Sequence, residues 1–284
     1  MKKLVSLTII IICLCNCMSV FAEGKEYTNE HLQIAKSILY QSGLGLWYED
    51  TEPESLYITR AQVSVIIAKV LNISQGEMEE YSKSPIFKDV QSDYWAYKYI
   101  NAISMRGVIQ GDGDGNFRPD DYCTYAEAVK MLITCIGWDV KAKYVNGGYP
   151  QGYIKTGKEL GLFPMNIDAQ EVAIKEHLFV LVYNILKTPI LVQDGFTEPT
   201  PEYIITEDIL KTYHNLSRIV GLAKRKDDTT LNINNAEYEV TDLEQEFKEG
   251  WVLCLYKENK ETRSRHSIVC LPVSGSTFDK KVEE

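Results

Sequence analysis

Acidic and amide side chains alternate in the stretch GDGDGNFRPDD with the spacing of calcium ligands. Asp112, Asp114 and Asn116 match the first three ligand positions of a calcium-binding loop. The sixth position is Phe117, where the loop needs glycine, and the twelfth is Cys123, where a bidentate glutamate closes the cage. No Walker lysine follows the glycines. We therefore expect neither a metal site nor a phosphate cradle here, and no cofactor.

The same stretch has the composition of a tight loop that leads into a helix. Gly111, Gly113 and Gly115 permit positive φ. Phe117 is expected to enter the core, and Pro119 to stiffen the return of the chain.

Reciprocal helix caps follow this loop and also occur earlier in the chain. Thr124 can accept a hydrogen bond from the third helical amide while Glu127 reaches back to the cap, an arrangement worth about 1 kcal/mol. Thr59 and Gln62 repeat the spacing. A third segment has Ile174 at the cap position, so its helix is expected to begin less sharply.

Three pairs of amphipathic segments follow one another along the chain. Each pair has an outer helix with a thin apolar stripe, then a loop, then an inner helix whose apolar residues share one face. The pairs comprise residues 31–45 with 57–73, 95–109 with 117–138, and 152–163 with 171–186.

A single pair cannot bury its inner helix, but three pairs can close around one axis. The pattern therefore predicts a compact bundle over about residues 28–190, with copies at about 28–74, 86–138 and 149–190. The fold class expected for the whole chain is α + β and multidomain, with a small β-barrel-like domain after the bundle.

The C-terminal part changes from helical periodicity to short β-like segments. We expect a linker at 191–201, a β domain of four or five strands at 202–275, and a frayed tail at 276–284. Cys254 and Cys270 could bridge neighbouring strands, or could be free buried thiols.

The N-terminus and the charge balance indicate a secreted acidic protein. Lys2 and Lys3 precede an apolar run, so residues 1–22 predict a cleaved signal peptide, with a retained anchor or lipidation at Cys13, Cys15 or Cys17 as alternatives. Cleavage changes the formal charge from −10 to 28 − 40 = −12. Such a charge disfavours nucleic acid and anionic lipid as partners, and no second apolar run is long enough to span a membrane.

The histidines and carboxylates of the sequence form no recognised catalytic motif. The histidines are scattered, at His31, His177, His214 and His266, and neither HExxH nor GxSxG occurs. Paired carboxylates such as those in GEMEE are typical of solvated helix faces. We therefore expect no enzyme activity.

Three segments of the chain resemble the S-layer homology repeats of bacterial surface proteins. They are FKDVQSDYWAYKYI (87–100), GVIQGDGDGNFRPDD (107–121) and ITRAQ (58–62). The second copy is similar in both order and spacing, whereas the first and third are degenerate. The resemblance implies a pseudo-threefold helical bundle with grooves that hold anionic, often pyruvylated, cell-wall sugars.

The resemblance also implies candidate ligand-binding residues. Arg60 is the family's arginine, expected to leave the core and to join free helix amides in holding a carboxylate. Tyr125 and Lys175 occupy the same position in the other copies, where they could contact a sugar or be ordinary surface residues. Trp95 matches a groove tryptophan, although a tryptophan at helical spacing is more often a core residue. Arg118 is expected to brace its loop, with ligand contact as the alternative.

The function expected from these observations is a non-catalytic, secreted, cell-wall or S-layer associated protein that binds secondary cell-wall polysaccharide. A protein partner is expected for the β domain. The alternative is an envelope assembly scaffold whose degenerate repeats no longer bind glycan.

Overall fold

A computed structural model describes residues 29–44, 55–163, 167–197, 200–241, 243 and 246–273. The predicted signal peptide (1–22), its cysteines and the predicted tail (276–284) lie outside these residues.

The helices occupy the first two thirds of the described chain. Their bounds are α1 Asn29–Gln41, α2 Arg60–Val70, α3 Gln75–Tyr81, α4 Tyr97–Met105, α5 Tyr125–Cys135, α6 Asp139–Tyr144, α7 Gln151–Glu159, α8 Lys175–Leu186 and α9 Ile209–His214. Helices α2, α5 and α8 are the predicted inner helices, and most of their residues are buried. The sequence did not predict the short helices α3 and α6. None of the helices in the described ranges has the length and hydropathy needed to cross a membrane.

The loops before α2, α5 and α8 are joined by a ring of three hydrogen bonds between main-chain groups. The amide of Cys123 donates to the carbonyl of Ile58 (2.8 Å), that of Ala173 to Cys123 (2.8 Å), and that of Ile58 to Ala173 (3.3 Å). All three side chains are fully buried. We call residues 56–60, 121–125 and 171–175 the loop ring. It holds the starts of the three inner helices together.

Two of these helices carry the reciprocal caps expected from the sequence. Thr59 with Gln62, and Thr124 with Glu127, each form a complete capping box. The start of α8 at Ile174 has no side-chain cap. The amide of Ile174 donates to the Tyr125 hydroxyl at 3.4 Å, so this hydroxyl takes the place that Glu127 has for the Thr124 amide in α5.

The glycine-rich loop before α5 differs from expectation at one position. Gly113 (φ +95°) and Gly115 (φ +87°) have positive φ, and Phe117 is fully buried. Gly111 does not need positive φ. It is required there because a Cβ would lie 2.5 Å from the carbonyl oxygen of Asn116.

The predicted linker at 191–201 is wrong, because its described residues lie in a β-hairpin. Strands β1 (Pro189–Thr197) and β2 (Thr200–Asp208) pair antiparallel directly after α8. The hairpin is attached to the helices, since the Leu191 amide donates to the Ile136 carbonyl (2.9 Å) and Trp138 Nε1 donates to the Pro189 carbonyl (2.8 Å).

The remaining strands form a closed five-stranded barrel. They are β3 Ser217–Arg225, β4 Thr230–Ile233, β5 Ala236–Glu239, β6 Glu249–Glu258 and β7 Arg265–Pro272. Their order around the barrel is β3-β4-β5-β7-β6, and only the β5–β7 pair is parallel, which is a Greek-key arrangement of the OB type.

Two details of the barrel go beyond the sequence prediction. The segment 231–240 is a hairpin of β4 and β5 that turns at Asn234 and Asn235, both with positive φ. Cys254 and Cys270 are cross-strand partners joined by a disulfide, so the bridged alternative is the one observed.

The barrel packs directly on the helices. Leu253, Leu255 and Val269, from the outer face of β6 and β7, belong to the same buried cluster as the helical core, whereas the barrel interior forms a second cluster around Leu231 and Tyr238. The helices, the hairpin and the barrel therefore share one continuous apolar core.

Gly137 provides a test of the contact between α5 and β1. Its φ is +76°, and a Cβ would lie 2.0 Å from the carbonyl oxygen of Leu191. We expect Gly137→Ala to reduce the free energy of unfolding, measured with urea, by clearly more than the roughly 1–2 kcal/mol of left-handed strain alone.

Gly43→Ala is the matched control for this test. Gly43 also has positive φ (+69°), but nothing lies within 4 Å of its Cβ position. Equal losses in the two variants would contradict a backbone clash at Gly137.

Candidate functional site

Arg60 is buried, contrary to the expectation that its side chain leaves the core. Its side chain is only 9% exposed. Nε donates to the Phe117 carbonyl (2.8 Å), Nη1 donates to Glu127 Oε1 (2.6 Å), and the guanidinium lies 4.6 Å from the centroid of the Phe117 ring. Arg60 therefore connects the start of α2 to the glycine-rich loop and to α5.

The helix amides that were expected to help Arg60 hold a carboxylate are also occupied. The Arg60 amide donates to the Asp121 carbonyl (3.0 Å), and the Ala61 amide to the Pro119 carbonyl (2.9 Å). The Gln62 amide donates to Thr59 Oγ1 (3.2 Å). The start of α2 therefore offers none of these three amides to an anion, because the loop ring, the Pro119 carbonyl and the cap each accept from one of them.

Tyr125 is buried as well, so it cannot stack on a sugar. It is 3% exposed, and its hydroxyl lies 2.6 Å from Nδ1 of His177, with the two rings stacked. Burial raises the pKa of Tyr125 and lowers that of His177. The Tyr125–His177 contact corresponds in position to Arg60–Glu127, since each joins the first residue of one inner helix to the third residue of the next.

The other two candidates from the aligned motifs lie at helix starts. Lys175 is half-buried at the first position of α8, and its amide donates to the Leu56 carbonyl (2.9 Å). Trp95 stands two residues before α4 and is 50% exposed, so its interpretation as a core residue is wrong. Its ring centroid lies 6.0 Å from that of Tyr94.

Arg118 braces its loop while part of its side chain remains accessible. The residue has φ +58°, and its amide donates to Asp89 Oδ2 (2.7 Å). The guanidinium, 49% exposed, lies 3.3 Å from an Asp121 oxygen and 3.8 Å from Glu127 Oε1. Glu127 thus has two arginines near one oxygen.

Sequence reasoning missed two residues near this pair of arginines. Lys130 lies on α5 with Nζ 5.3 Å from the centroid of the Tyr149 ring, and Tyr149 is 50% exposed. Among the described residues, Lys130 forms no ion pair. Burial lowers its pKa, and the positive charges of Lys143 and Arg60 lower it further.

A signal for Tyr149 was nevertheless present in the sequence. It stands directly before the N-cap of α7, as Trp95 stands directly before the N-cap of α4. Aligning the two outer helices on their terminal glycines, Gly107 and Gly161, would have placed these aromatic residues at equivalent positions.

Arg60, Arg118, Glu127, Lys130 and Tyr149 form what we call the Arg60 cluster. Its three cations face two carboxylates, because Glu127 is bonded to Arg60 and to the cap of α5, and Asp121 lies at the edge of the cluster, 3.3 Å from Arg118. The cluster therefore has net positive charge beside a half-exposed aromatic ring. This combination suits an anionic ligand that has a ring face.

The rest of the described residues contain no second group of side chains arranged as a binding or metal site. No group of three or more His, Cys, Asp or Glu side chains could hold a metal within them. A cleft of about 400 Å³ lies at the other end of α2, where Lys69, Tyr99 and His214 line it, and it contains none of the residues singled out by the sequence.

Comparison with known proteins relates one segment of the chain to a known family. The family model of the S-layer homology domain matches residues 86–129, which include the whole glycine-rich loop and the start of α5. The chain therefore contains a segment that matches the S-layer homology domain, and its similarity to bacterial surface proteins supports an S-layer homology protein of the bacterial cell envelope. It is accordingly a secreted protein associated with the cell wall or S-layer.

Similar proteins are found on several bacterial surfaces. The chain is 26% identical to the middle cell wall protein of Brevibacillus brevis over 157 residues, covering 55% of this chain and 14% of that protein. It is 38% identical to S-layer protein EA1 of Bacillus anthracis over 90 residues, covering 32% and 10%. It is 32% identical to the cellulosome-anchoring protein of Acetivibrio thermocellus over 139 residues, covering 45% and 29%. The S-layer homology chain thus spans less than a third of each of these relatives.

The buried position of Arg60 leads to a stability prediction. Arg60→Ala would leave the Glu127 carboxylate and the Phe117 carbonyl without their partner, so we expect a loss on the order of 3 kcal/mol in the free energy of unfolding with urea. Arg118→Ala, at the half-exposed arginine, should cost less than about 1 kcal/mol. An equally small decrease in the free energy of unfolding of both variants would mean that the Arg60 side chain does not stabilise the fold.

His177 leads to a prediction about acid stability. Because burial lowers its pKa in the folded chain, the unfolded chain binds the proton first as the pH falls below about 6.5. Stability should therefore decrease from pH 7 to pH 5. The free energy of unfolding, measured with urea, should decrease less over this pH range in His177→Gln than in the unmodified protein. An equal decrease in the two proteins would exclude His177 as a cause.

Proposed function

We propose that this chain is a non-catalytic protein in which three helix-loop-helix copies form a pseudo-threefold bundle that binds an anionic, possibly pyruvylated, polysaccharide of the cell wall. The copies are those expected from the sequence, at about 28–74, 86–138 and 149–190. The C-terminal barrel would contact a further partner in the envelope.

The exchange of hydrogen bonds in the loop ring supports the pseudo-threefold arrangement. Equivalent amides in the three loops donate to equivalent carbonyls, and the exchange closes on itself. A second set closes the same cycle in the opposite direction, with the amide of Arg60 donating to the Asp121 carbonyl, that of Tyr125 to Glu171 and that of Lys175 to Leu56. Such a cycle is what three similar units packed around one axis would produce.

The observation that carries the binding proposal is the net positive charge of the Arg60 cluster. Arg118 and Lys130 have the accessible cationic groups, and Tyr149 adds a half-exposed ring. In this proposal Arg60 holds the second copy in place and orients Glu127, while Arg118 and Lys130 contact the carboxylate of the glycan. Trp95 and Lys175 would belong to another groove.

The overall acidity of the chain does not oppose this assignment. The chain has a formal charge of −10, but screening reduces the effect of charges beyond about 8–10 Å at physiological salt. A carboxylate held within the Arg60 cluster would therefore respond mainly to Arg118 and Lys130.

A scaffold without glycan binding is the second candidate, and the burial of Arg60 and Tyr125 favours it. Two of the three first-turn positions of the inner helices are unable to reach a ligand. In this candidate the repeats serve only to assemble the protein with others in the envelope. An exposed cross-strand pair on the barrel, Leu222 (50%) and Trp251 (39%), would suit such a protein contact.

Sedimentation of the full chain with purified wall polymer separates the two candidates. If the Arg60 cluster binds the polymer, Lys130→Ala and Arg118→Ala should each weaken binding by roughly tenfold or more, since a charge-assisted contact contributes about 1.5–3 kcal/mol. Binding should also weaken with added salt.

Two controls make this test specific. Lys257→Ala removes an exposed lysine on the barrel and should leave binding unchanged. Polymer from which the carboxylates have been removed chemically should bind the unmodified protein and Lys130→Ala equally. If the unmodified chain fails to sediment with either polymer, the scaffold candidate is correct.

A further inference from the structure

Two exposed tyrosines lie side by side on the loop ring. Tyr57 and Tyr122 are 39% and 48% exposed, and their ring centroids are 5.5 Å apart with the planes tilted by 58°. Each stands two residues before the cap of an inner helix, and Val172 is the corresponding residue of the third copy. The two rings therefore form one aromatic surface at the outer side of the loop ring.

The main chain beneath these tyrosines is held firmly. Tyr57 bridges to Ile174, Tyr122 to Thr59, and Val172 to Thr124, so each of the three positions is paired with the cap residue of another copy. The residues that follow them, Ile58 and Cys123, point into the core. The protein would therefore lose little conformational entropy when a ligand stacks on the two rings.

The surroundings of the rings suggest the chemistry of a ligand. Within the described residues, neither the Tyr57 nor the Tyr122 hydroxyl has a hydrogen-bond partner, so both remain available. Asp121 and Glu171, at the rim, are exposed acids. An aromatic surface with free hydroxyls and an acidic rim suits a neutral ring that has C–H groups on its face and hydroxyls at its edge, and it disfavours an anionic ring.

We propose that Tyr57 and Tyr122 form a stacking subsite for neutral sugar residues of a glycan chain. The subsite is continuous with the Arg60 cluster, because Tyr122 follows Asp121, whose carboxylate lies 3.3 Å from the Arg118 guanidinium. A polymer with its anionic residue on Lys130 and Arg118 would thus place neighbouring neutral residues over the tyrosines. This inference rests on the proposed function and adds a second contact to it.

The test uses the full chain and the same two polymers, with and without carboxylates. The double variant Tyr57→Ala/Tyr122→Ala should bind both polymers roughly tenfold more weakly. The double variant Tyr57→Phe/Tyr122→Phe should retain most of the binding, since it keeps the ring faces. Tyr144→Ala, which removes an 82% exposed tyrosine on α6, is the matched control and should bind normally.

The outcomes distinguish this subsite from the Arg60 cluster. Loss of carboxylate-independent binding in the alanine double variant, with far-UV circular dichroism unchanged, supports the subsite. Normal binding in that variant while Lys130→Ala binds weakly overturns the subsite and leaves the proposed function intact. A change in molecular mass by sedimentation equilibrium, without a change in glycan binding, would instead assign the tyrosines to a contact between copies of the chain. Failure of the unmodified chain to bind either polymer overturns both proposals.

Discussion

The ring of main-chain hydrogen bonds among Ile58, Cys123 and Ala173 is the constraint on which the helical part of the structure depends. These amides and carbonyls are buried and would be costly to leave without partners. No single loop can satisfy its own groups in this conformation, so each needs the next one. The ring therefore fixes where the three inner helices begin and directs one apolar side chain from each loop into the core.

This constraint also determines where an anion can be bound. The loop ring uses the first amides of α2 and α5, which removes the usual attraction of helix starts for anions. The first side chains of those helices, Arg60 and Tyr125, are buried against residues of the next inner helix. The accessible positive charges near these two helix starts instead lie outside the ring, on Arg118 in the loop and on Lys130 further along α5.

Local sequence signals predicted the helical framework well, because caps and apolar periodicity act within a few residues. The capping boxes of α2 and α5, the absence of one in α8 and the burial of Phe117 are of this kind. Local signals could not predict the burial of Arg60, because its partners Phe117 and Glu127 are 57 and 67 residues away in the sequence. The β1–β2 hairpin was missed for a related reason. Its turn-rich sequence is typical of a linker, and contacts with α5 and Trp138 decide its structure.

The barrel and the helical part of the chain are packed together and not joined by a linker. A linker at 191–201 would have allowed the barrel to move independently of the helices. Instead, the outer faces of β6 and β7 contribute Leu253, Leu255 and Val269 to the helical core, and the His214 ring lies 2.8 Å from the Val70 carbonyl at the end of α2. Separating the barrel would expose this apolar surface to water, which is unfavourable in proportion to its area. A force applied to the barrel would therefore reach the inner helices through packed side chains. Substitutions that disturb this face of the barrel should also lower the stability of the helical part.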